Sequence, residues 1–163
     1  EYFKKSIAST LVFGERMITV LLADDHAFVL NSLRALLDAA DDIQVVAMAP
    51  DGMEAVAQAS LYCPDVAVID ISMPRMDGIE ATKQICAICP HIRIMTISMF
   101  DNPEYIQRSL QAGAFGYVLK DEVFSDLLDA VRSIHKGNKY FSQKIAGIAE
   151  HYTHQSGNDS LPG

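Results

Sequence analysis

Short apolar runs and helical stripes alternate along most of the chain. Ile18-Thr19-Val20-Leu21-Leu22-Ala23 is a compact run of β-forming residues. Residues 27–39 then place Phe28, Val29, Leu33, Leu36 and Leu37 on one helical face. The alternation continues with a strand over 44–49 and a helix over 52–61, then a strand over 66–69 and a helix over about 78–88. It ends with a strand over 92–97, a helix over 103–112, a strand over 116–119 and a helix over about 122–136. Strands alternating with helices predict a parallel sheet covered on both faces and joined by right-handed crossovers. The strand runs are almost continuously apolar, as strands buried on both sides must be. The expectation is an α/β domain over residues 17–136: a (βα)5 doubly wound, five-stranded parallel sheet.

The flanks read differently. Residues 1–16 show no clear period, and Met17 precedes the first strand directly; this piece reads as an N-terminal extension or an expression remnant. After Gly137-Asn138 come Lys139-Tyr140-Phe141-Ser142, a weak helix over about 143–152, and a polar, turn-rich end. Residues 137–163 are therefore expected to be a linker segment carrying a helix and leading to a domain that this chain lacks.

Composition narrows the function classes. Half of the 163 residues are apolar, enough for a proper core. No apolar run approaches the ~20 residues that span a bilayer, so a soluble chain is expected. The net charge of -8, with no basic block, argues against direct nucleic-acid binding, which needs clustered Lys and Arg. Three cysteines at irregular spacing suit a reducing cytosol better than a disulfide framework. Lys4-Lys5 with Ile7 to Phe13 is too short and too broken by Ser and Thr for a secretory signal.

Polar residues stand where the strand runs end: Asp24-Asp25 after the first, Asp70 after the third, Ser98 after the fourth and Lys120 after the fifth. In a parallel α/β sheet the carboxyl edge is where ligands bind, so these groups should share one crevice. Three carboxylates close together repel unless a cation bridges them. Mg2+, a hard ion preferring oxygen ligands, suits such a set. A carboxylate can attack phosphorus to form an aspartyl phosphate, with the metal and a lysine neutralising the transferring group. Ser98 offers a hydroxyl donor to a phosphoryl oxygen. Taken singly, each feature has a structural reading: a helix cap for Asp24-Asp25, a turn carboxylate for Asp70, a surface amine for Lys120. Their occurrence together at successive strand ends is what points to chemistry.

At these residues the chain resembles the response-regulator receiver domains of two-component systems. The stretches that carry the likeness are Leu22-Ala23-Asp24-Asp25-His26, Val68-Ile69-Asp70-Ile71-Ser72-Met73-Pro74-Arg75-Met76-Asp77-Gly78, Thr96-Ile97-Ser98-Met99-Phe100 and Gly113-Ala114-Phe115-Gly116-Tyr117-Val118-Leu119-Lys120-Asp121. The resemblance implies a flavodoxin-like strand order, 2-1-3-4-5. It makes Asp70 the phosphoacceptor, Asp24, Asp25, Asp70 and the Ser72 backbone carbonyl the Mg2+ ligands, Ser98 and Lys120 the phosphoryl-binding pair, and Ser98 and Tyr117 the switch residues. Asp25-His26, Ser98-Met99 and Lys120-Asp121 have the look of the NarL/LuxR-type subgroup, whose C-terminal helix-turn-helix is absent here. Many receivers have proline where Asp121 stands, so no cis peptide is implied. The implied partner is a sensor histidine kinase, and the chain itself is expected in the cytoplasm. DNA would be reached only through the absent domain, and a homodimer formed on phosphorylation is left open. Ser72 and Phe100 occupy positions that flank the hydrolytic water in the family. Phe100 cannot orient a water by hydrogen bonding, so slow autodephosphorylation is expected.

Other readings are weaker. A phosphatase of the haloacid-dehalogenase kind wants a second Asp two residues after the nucleophile, where Ser72 stands, so a turnover enzyme is not expected. A phosphorylation-independent interaction module would not need the full residue set. Cys86-x-x-Cys89 lacks a second ligand pair for zinc and closes a helix rather than opening one, so buried small residues are expected there. His26 is expected to start a helix, Asp77-Gly78 to cap the third, and the methionines to fill the core.

Overall fold

The computed structural model describes residues 16–155. Its elements are β1 (Ile18–Ala23), α1 (Ala27–Asp38), β2 (Ile43–Ala49), α2 (Gly52–Tyr62), β3 (Val66–Asp70), α3 (Gly78–Ile88), β4 (Arg93–Ser98), α4 (Pro103–Ala112), β5 (Gly116–Leu119), α5 (Val123–His135), β6 (Tyr140–Phe141), a 3-10 turn (Gln143–Ile145) and α6 (Ala146–Gln155). All strand pairs are parallel, in the order β2-β1-β3-β4-β5-β6. The predicted flavodoxin-like order 2-1-3-4-5 is therefore present. One further strand lies on the β5 edge, its two residues too short to leave a periodic signal. The expected extension over 1–15 and the polar end beyond 155 lie outside the described residues.

Strand alternation divides the core. Ile18, Val20 and Leu22 of β1 face α1 and α5, packing with Leu33, Leu37, Leu127, Val131 and Ile134. Leu21 and Ala23 face the other side, where Ala55 and Ala59 let α2 lie close to the sheet beside Ile85 of α3. Each fully buried Leu or Ile contributes roughly 1.5–3 kcal/mol of transfer free energy. A third cluster joins Ile106 of α4, Tyr117 and Leu119 of β5, and Ile145 and Ala149 of the C-terminal segment. Residues 140–149, assigned by sequence pattern to a linker, thus pack on the domain. The Ser142 hydroxyl accepts a bond from the Leu119 N–H at 2.8 Å inside that contact.

Capping sets the helix starts around the carboxyl edge. Asp51 accepts from Glu54 N–H at 2.9 Å and Asp77 from Glu80 N–H at 2.8 Å, each giving an orphan amide a partner. Pro103 opens α4, where its missing N–H costs nothing. Gly78 then lies so close to the end of β3 that a Cβ there would sit 2.0 Å from the Asp70 carbonyl oxygen. Backbone cannot rotate aside as a side chain can. Gly78→Ala is therefore expected to destabilise by about 1–3 kcal/mol, read by urea unfolding with an unchanged m-value. A variant as stable as the parent would contradict this packing.

Candidate functional site

β1, β3, β4 and β5 all run parallel, so their carboxyl ends open on the same edge. Asp24 follows β1, Asp70 is the last residue of β3, Ser98 the last of β4, and Lys120 follows β5. The edge is tied by backbone bonds: Asp24 N–H to Ala49 carbonyl at 3.1 Å, Ile71 N–H to Ile97 carbonyl at 3.0 Å, and Lys120 N–H to Ser98 carbonyl at 2.8 Å.

Lys120 joins the two innermost carboxylates. Its ammonium lies 2.9 Å from Asp24 Oδ2 and 3.0 Å from Asp70 Oδ2. The side chains of Asp24, Asp70 and Lys120 are 0 %, 2 % and 12 % exposed. Burial, then the charge of Asp24, push the Asp70 carboxyl up to about 6, against the opposing pull of Lys120 and the Ser72 N–H. Burial would lower the Lys120 ammonium, but its bonds to Asp24 and Asp70 outweigh that and hold it above its ordinary value.

The outer rim is acidic. Asp25 is partly open to solvent, and His26 Nδ1 lies 3.1 Å from one oxygen of Asp24 and one of Asp25. The His26 N–H also donates to Asp24 Oδ1 at 2.8 Å. Ligand atoms of Asp24, Asp25, His26 and Asp70 all lie within 4.8 Å of one another, so this cluster can hold a metal ion. Three carboxylates against one ammonium leave negative charge for a cation to balance, and the oxygen-rich donors suit a hard one. His26 sits at the N-cap of α1, as the sequence reading has it, without a side-chain capping bond. The sequence reading favours this helix start over a part in modulating the site, and the fold sets the ring beside both aspartates. The contiguous Asp24-Asp25-His26 was the available signal.

Ser72 donates its N–H to Asp70 Oδ1 at 3.2 Å. Ser98 and Tyr117 converge on one residue instead, Phe100. The Ser98 hydroxyl accepts from Phe100 N–H at 2.9 Å, and the Tyr117 hydroxyl donates to Phe100 carbonyl at 2.6 Å. Tyr117 is fully buried, and burial pushes its hydroxyl up. The Phe100 ring itself stacks on Tyr105 of α4, with centroids 4.9 Å apart. A cavity of about 220 Å³ at the carboxyl ends of β4 and β5 is lined by Ser98, Leu119, Lys120, Asp121 and Lys144 among others. The Lys120–Asp121 peptide, like every other among the described residues, is trans.

The response regulator receiver domain family matches residues 20–132. The chain belongs to that family. The likeness read from the four motifs is thereby borne out. Among curated relatives, the oxygen regulatory protein NreC of Staphylococcus epidermidis is 35% identical over 144 residues, covering 87% of this chain and 66% of its own. The uncharacterized transcriptional regulatory protein YvfU of Bacillus subtilis is 34% identical over 129 residues, 79% of this chain and 64% of its own. This receiver thus spans less than two thirds of the length of these relatives. Among solved structures, a LuxR-family two-component response regulator from an Aurantimonas species superposes with a TM-score of 0.78 at 30% identity, covering 85% of this chain and 99% of that one. The signal receiver domain of the putative response regulator NarL from Mycobacterium tuberculosis gives 0.73 at 31% identity, covering 76% and 100%. No described helix of the receiver is long and apolar enough to cross a membrane.

Proposed function

We propose that this receiver is a phosphorylation-activated switch in which Asp70 takes a phosphoryl group from the phosphohistidine of a sensor histidine kinase, in the cytoplasm, and is not a turnover enzyme. The observation that carries this reading is the Asp24–Lys120–Asp70 bridge: a buried carboxylate at a strand end, with one ammonium beside it and an acidic cation cradle on its open side. Asp24, Asp25, Asp70 and the Ser72 carbonyl would hold Mg2+, which when bound supplies positive charge to the phosphoryl oxygens. A carboxylate oxygen of Asp70 attacks phosphorus while the bond to the donor nitrogen breaks. Lys120, held between two carboxylates, is within reach of the charge that arrives. With its pKa raised to about 6, the Asp70 carboxyl is still mostly in its nucleophilic, ionised form at neutral pH, and a bound cation would favour that form further.

The bonds to Phe100 support a route outward. Ser98 holds its N–H and Tyr117 its carbonyl, on the peptides before and after it. A Ser98 hydroxyl that turns to donate to a phosphoryl oxygen loosens one grip and shifts the balance at the other, biasing the loop before α4 between two arrangements. In a longer protein this would regulate a DNA-binding domain, with a homodimer as one form of the output. Phe100 offers no side-chain hydrogen bond to a hydrolytic water, and the phosphorylated state is accordingly long-lived.

The test is intact mass after incubation with acetyl phosphate and Mg2+, beside Asp70→Asn. The parent should gain about 80 Da, the mass of one added phosphoryl group, and the variant nothing. Equal gain in both chains, or none in the parent once Mg2+ binding is confirmed, would remove Asp70 from this role.

A further inference from the structure

The described residues hold three free thiols: Cys63 on the surface, Cys86 half-buried and Cys89 buried. Sequence spacing pairs Cys86 with Cys89, but the fold separates their surroundings. Cys86 faces the turn between α4 and β5, where its Sγ is 3.9 Å from the Gly113 carbonyl. A Cβ on Gly113 would stand 2.7 Å from that sulfur, so this side of α3 is closed by the turn. Cys89, the residue after α3, points to α2 instead, its Sγ 3.8 Å from the Ala59 carbonyl. The same carbonyl accepts the N–H of Cys63, the residue that ends α2, at 2.9 Å. The Cys63 Sγ lies 3.6 Å from the Ser60 carbonyl, so both cysteines sit against the last turn of α2.

Two further observations concern Cys63. Its backbone is left-handed, with φ 44°, at the position closing α2 where glycine is the usual residue. Only Arg75 shares a positive φ with it among the described non-glycine residues. Cys63 is also open to solvent while Cys89 is screened by protein. The pair thus consists of one sulfur that a small reagent can reach and one that only its partner can reach.

We propose that Cys63 and Cys89 form a reversible disulfide when the chain meets a two-electron oxidant such as hydrogen peroxide. The Cys63 thiolate attacks a peroxide oxygen, the O–O bond breaks, and the departing hydroxide takes a proton to leave as water. The sulfenic acid on Cys63 is then attacked by the Cys89 sulfur; the S–S bond forms as the S–O bond breaks, and the second water carries off the Cys89 proton. Two thiols lose two electrons and the peroxide becomes two waters. The Cys63 N–H and the Cys89 Sγ share the Ala59 carbonyl, so the two side chains start from one turn, and bonding needs their Cβ atoms within about 4.5 Å. Burial first, then the nearby Cys63, hold the Cys89 thiol above its ordinary value. The bond would tie the C-terminal ends of α2 and α3 together. Cys63 precedes β3 and Cys89 precedes β4, so the link lies at the entering edge of the sheet, opposite Asp70. It is therefore independent of the phosphoacceptor reading.

The experiment is non-reducing peptide mapping with fragmentation of the full chain after hydrogen peroxide treatment, beside Cys63→Ser and Cys86→Ser. The expected result is a Cys63–Cys89 link, an intact-mass loss of about 2 Da reversed by dithiothreitol, and alkylation confined to Cys86. Cys86→Ser should oxidise as the parent does and Cys63→Ser should not lose that mass. A Cys86–Cys89 link, a disulfide between two chains through Cys63, over-oxidation of Cys63 without a link, or three thiols still open to alkylation would each overturn the proposal. Because Cys63 is exposed, its serine variant tests the pair without a demand on the core.

Discussion

Lys120→Ala is expected to destabilise the receiver by about 3–5 kcal/mol at pH 7.5 in the absence of divalent cations. The ammonium stands between Asp24 and Asp70, both buried, and its removal leaves two carboxylates facing each other in a low-dielectric site. Coulomb repulsion and unrelieved desolvation then act together. The loss should shrink as pH falls, because protonating Asp70 removes one of the two charges, and without the lysine that carboxyl titrates above its present value of about 6. Urea unfolding at pH 7.5 and pH 5 measures both numbers. An equal loss at the two pH values would mean that the lysine acts through packing of its stem and not through its charge.

Asp70→Asn is expected to do the opposite. In EDTA at pH 7.5 it should raise stability by up to about 3 kcal/mol, while abolishing phosphoryl acceptance. The sign follows from the direction of the shift. The folded-state value of about 6 lies above the ordinary 3.8, so the folded chain holds this proton more tightly than the unfolded one. Stability contributed by that proton is fully present below pH 4. It is lost as pH rises through about 6, where burying the ionised carboxylate opposes folding. Asparagine has no charge to bury, so its advantage is absent at pH 4 and complete above pH 7. A bridging divalent cation offsets the same repulsion in the parent, so added Mg2+ should narrow the gap. Thermal melts at pH 4 and 7.5, with EDTA and with Mg2+, decide it; a variant less stable than the parent at pH 7.5 in EDTA would show that the Lys120 pairing outweighs the burial. The acceptor site is, on this account, a place where stability is given up for reactivity.

The described elements differ from the sequence pattern mostly by a residue or two at their ends. Periodicity made β1, β3, α3 and α4 legible because each is a strongly apolar or strongly amphipathic run, and a strand buried on both faces has few ways to be anything else. Residues that chemistry requires at strand ends were legible for the same reason: Asp24, Asp70, Ser98 and Lys120 interrupt apolar runs where nothing in a core would want them. Short or contact-dependent features were not. β6 has two residues, no period, and exists because Gly116 and Tyr117 offer it an edge. Residues 140–149 read only as a weak helix within a linker, and the apolar ground of Ile106, Tyr117 and Leu119 is what draws Ile145 and Ala149 inward. His26 reads as a helix start, and the turn of the chain at Asp24-Asp25 is what sets its ring between two carboxylates.

The cysteines show the limit most clearly. Sequence distance sets Cys86 and Cys89 three apart at the end of one helix; the stacking of α2 beside α3 turns Cys89 toward the last turn of α2 and Cys63 instead. By itself, the sequence determined the strand–helix alternation, the doubly buried sheet and the polar groups at its carboxyl edge, since these follow from local hydrophobic period and from residue types that a core rejects. Only the tertiary structure decided which carboxylates Lys120 bridges, that Phe100 is gripped from both ends, and which cysteines share the last turn of α2, because each depends on distances between segments far apart in the chain, set by packing that no local window contains.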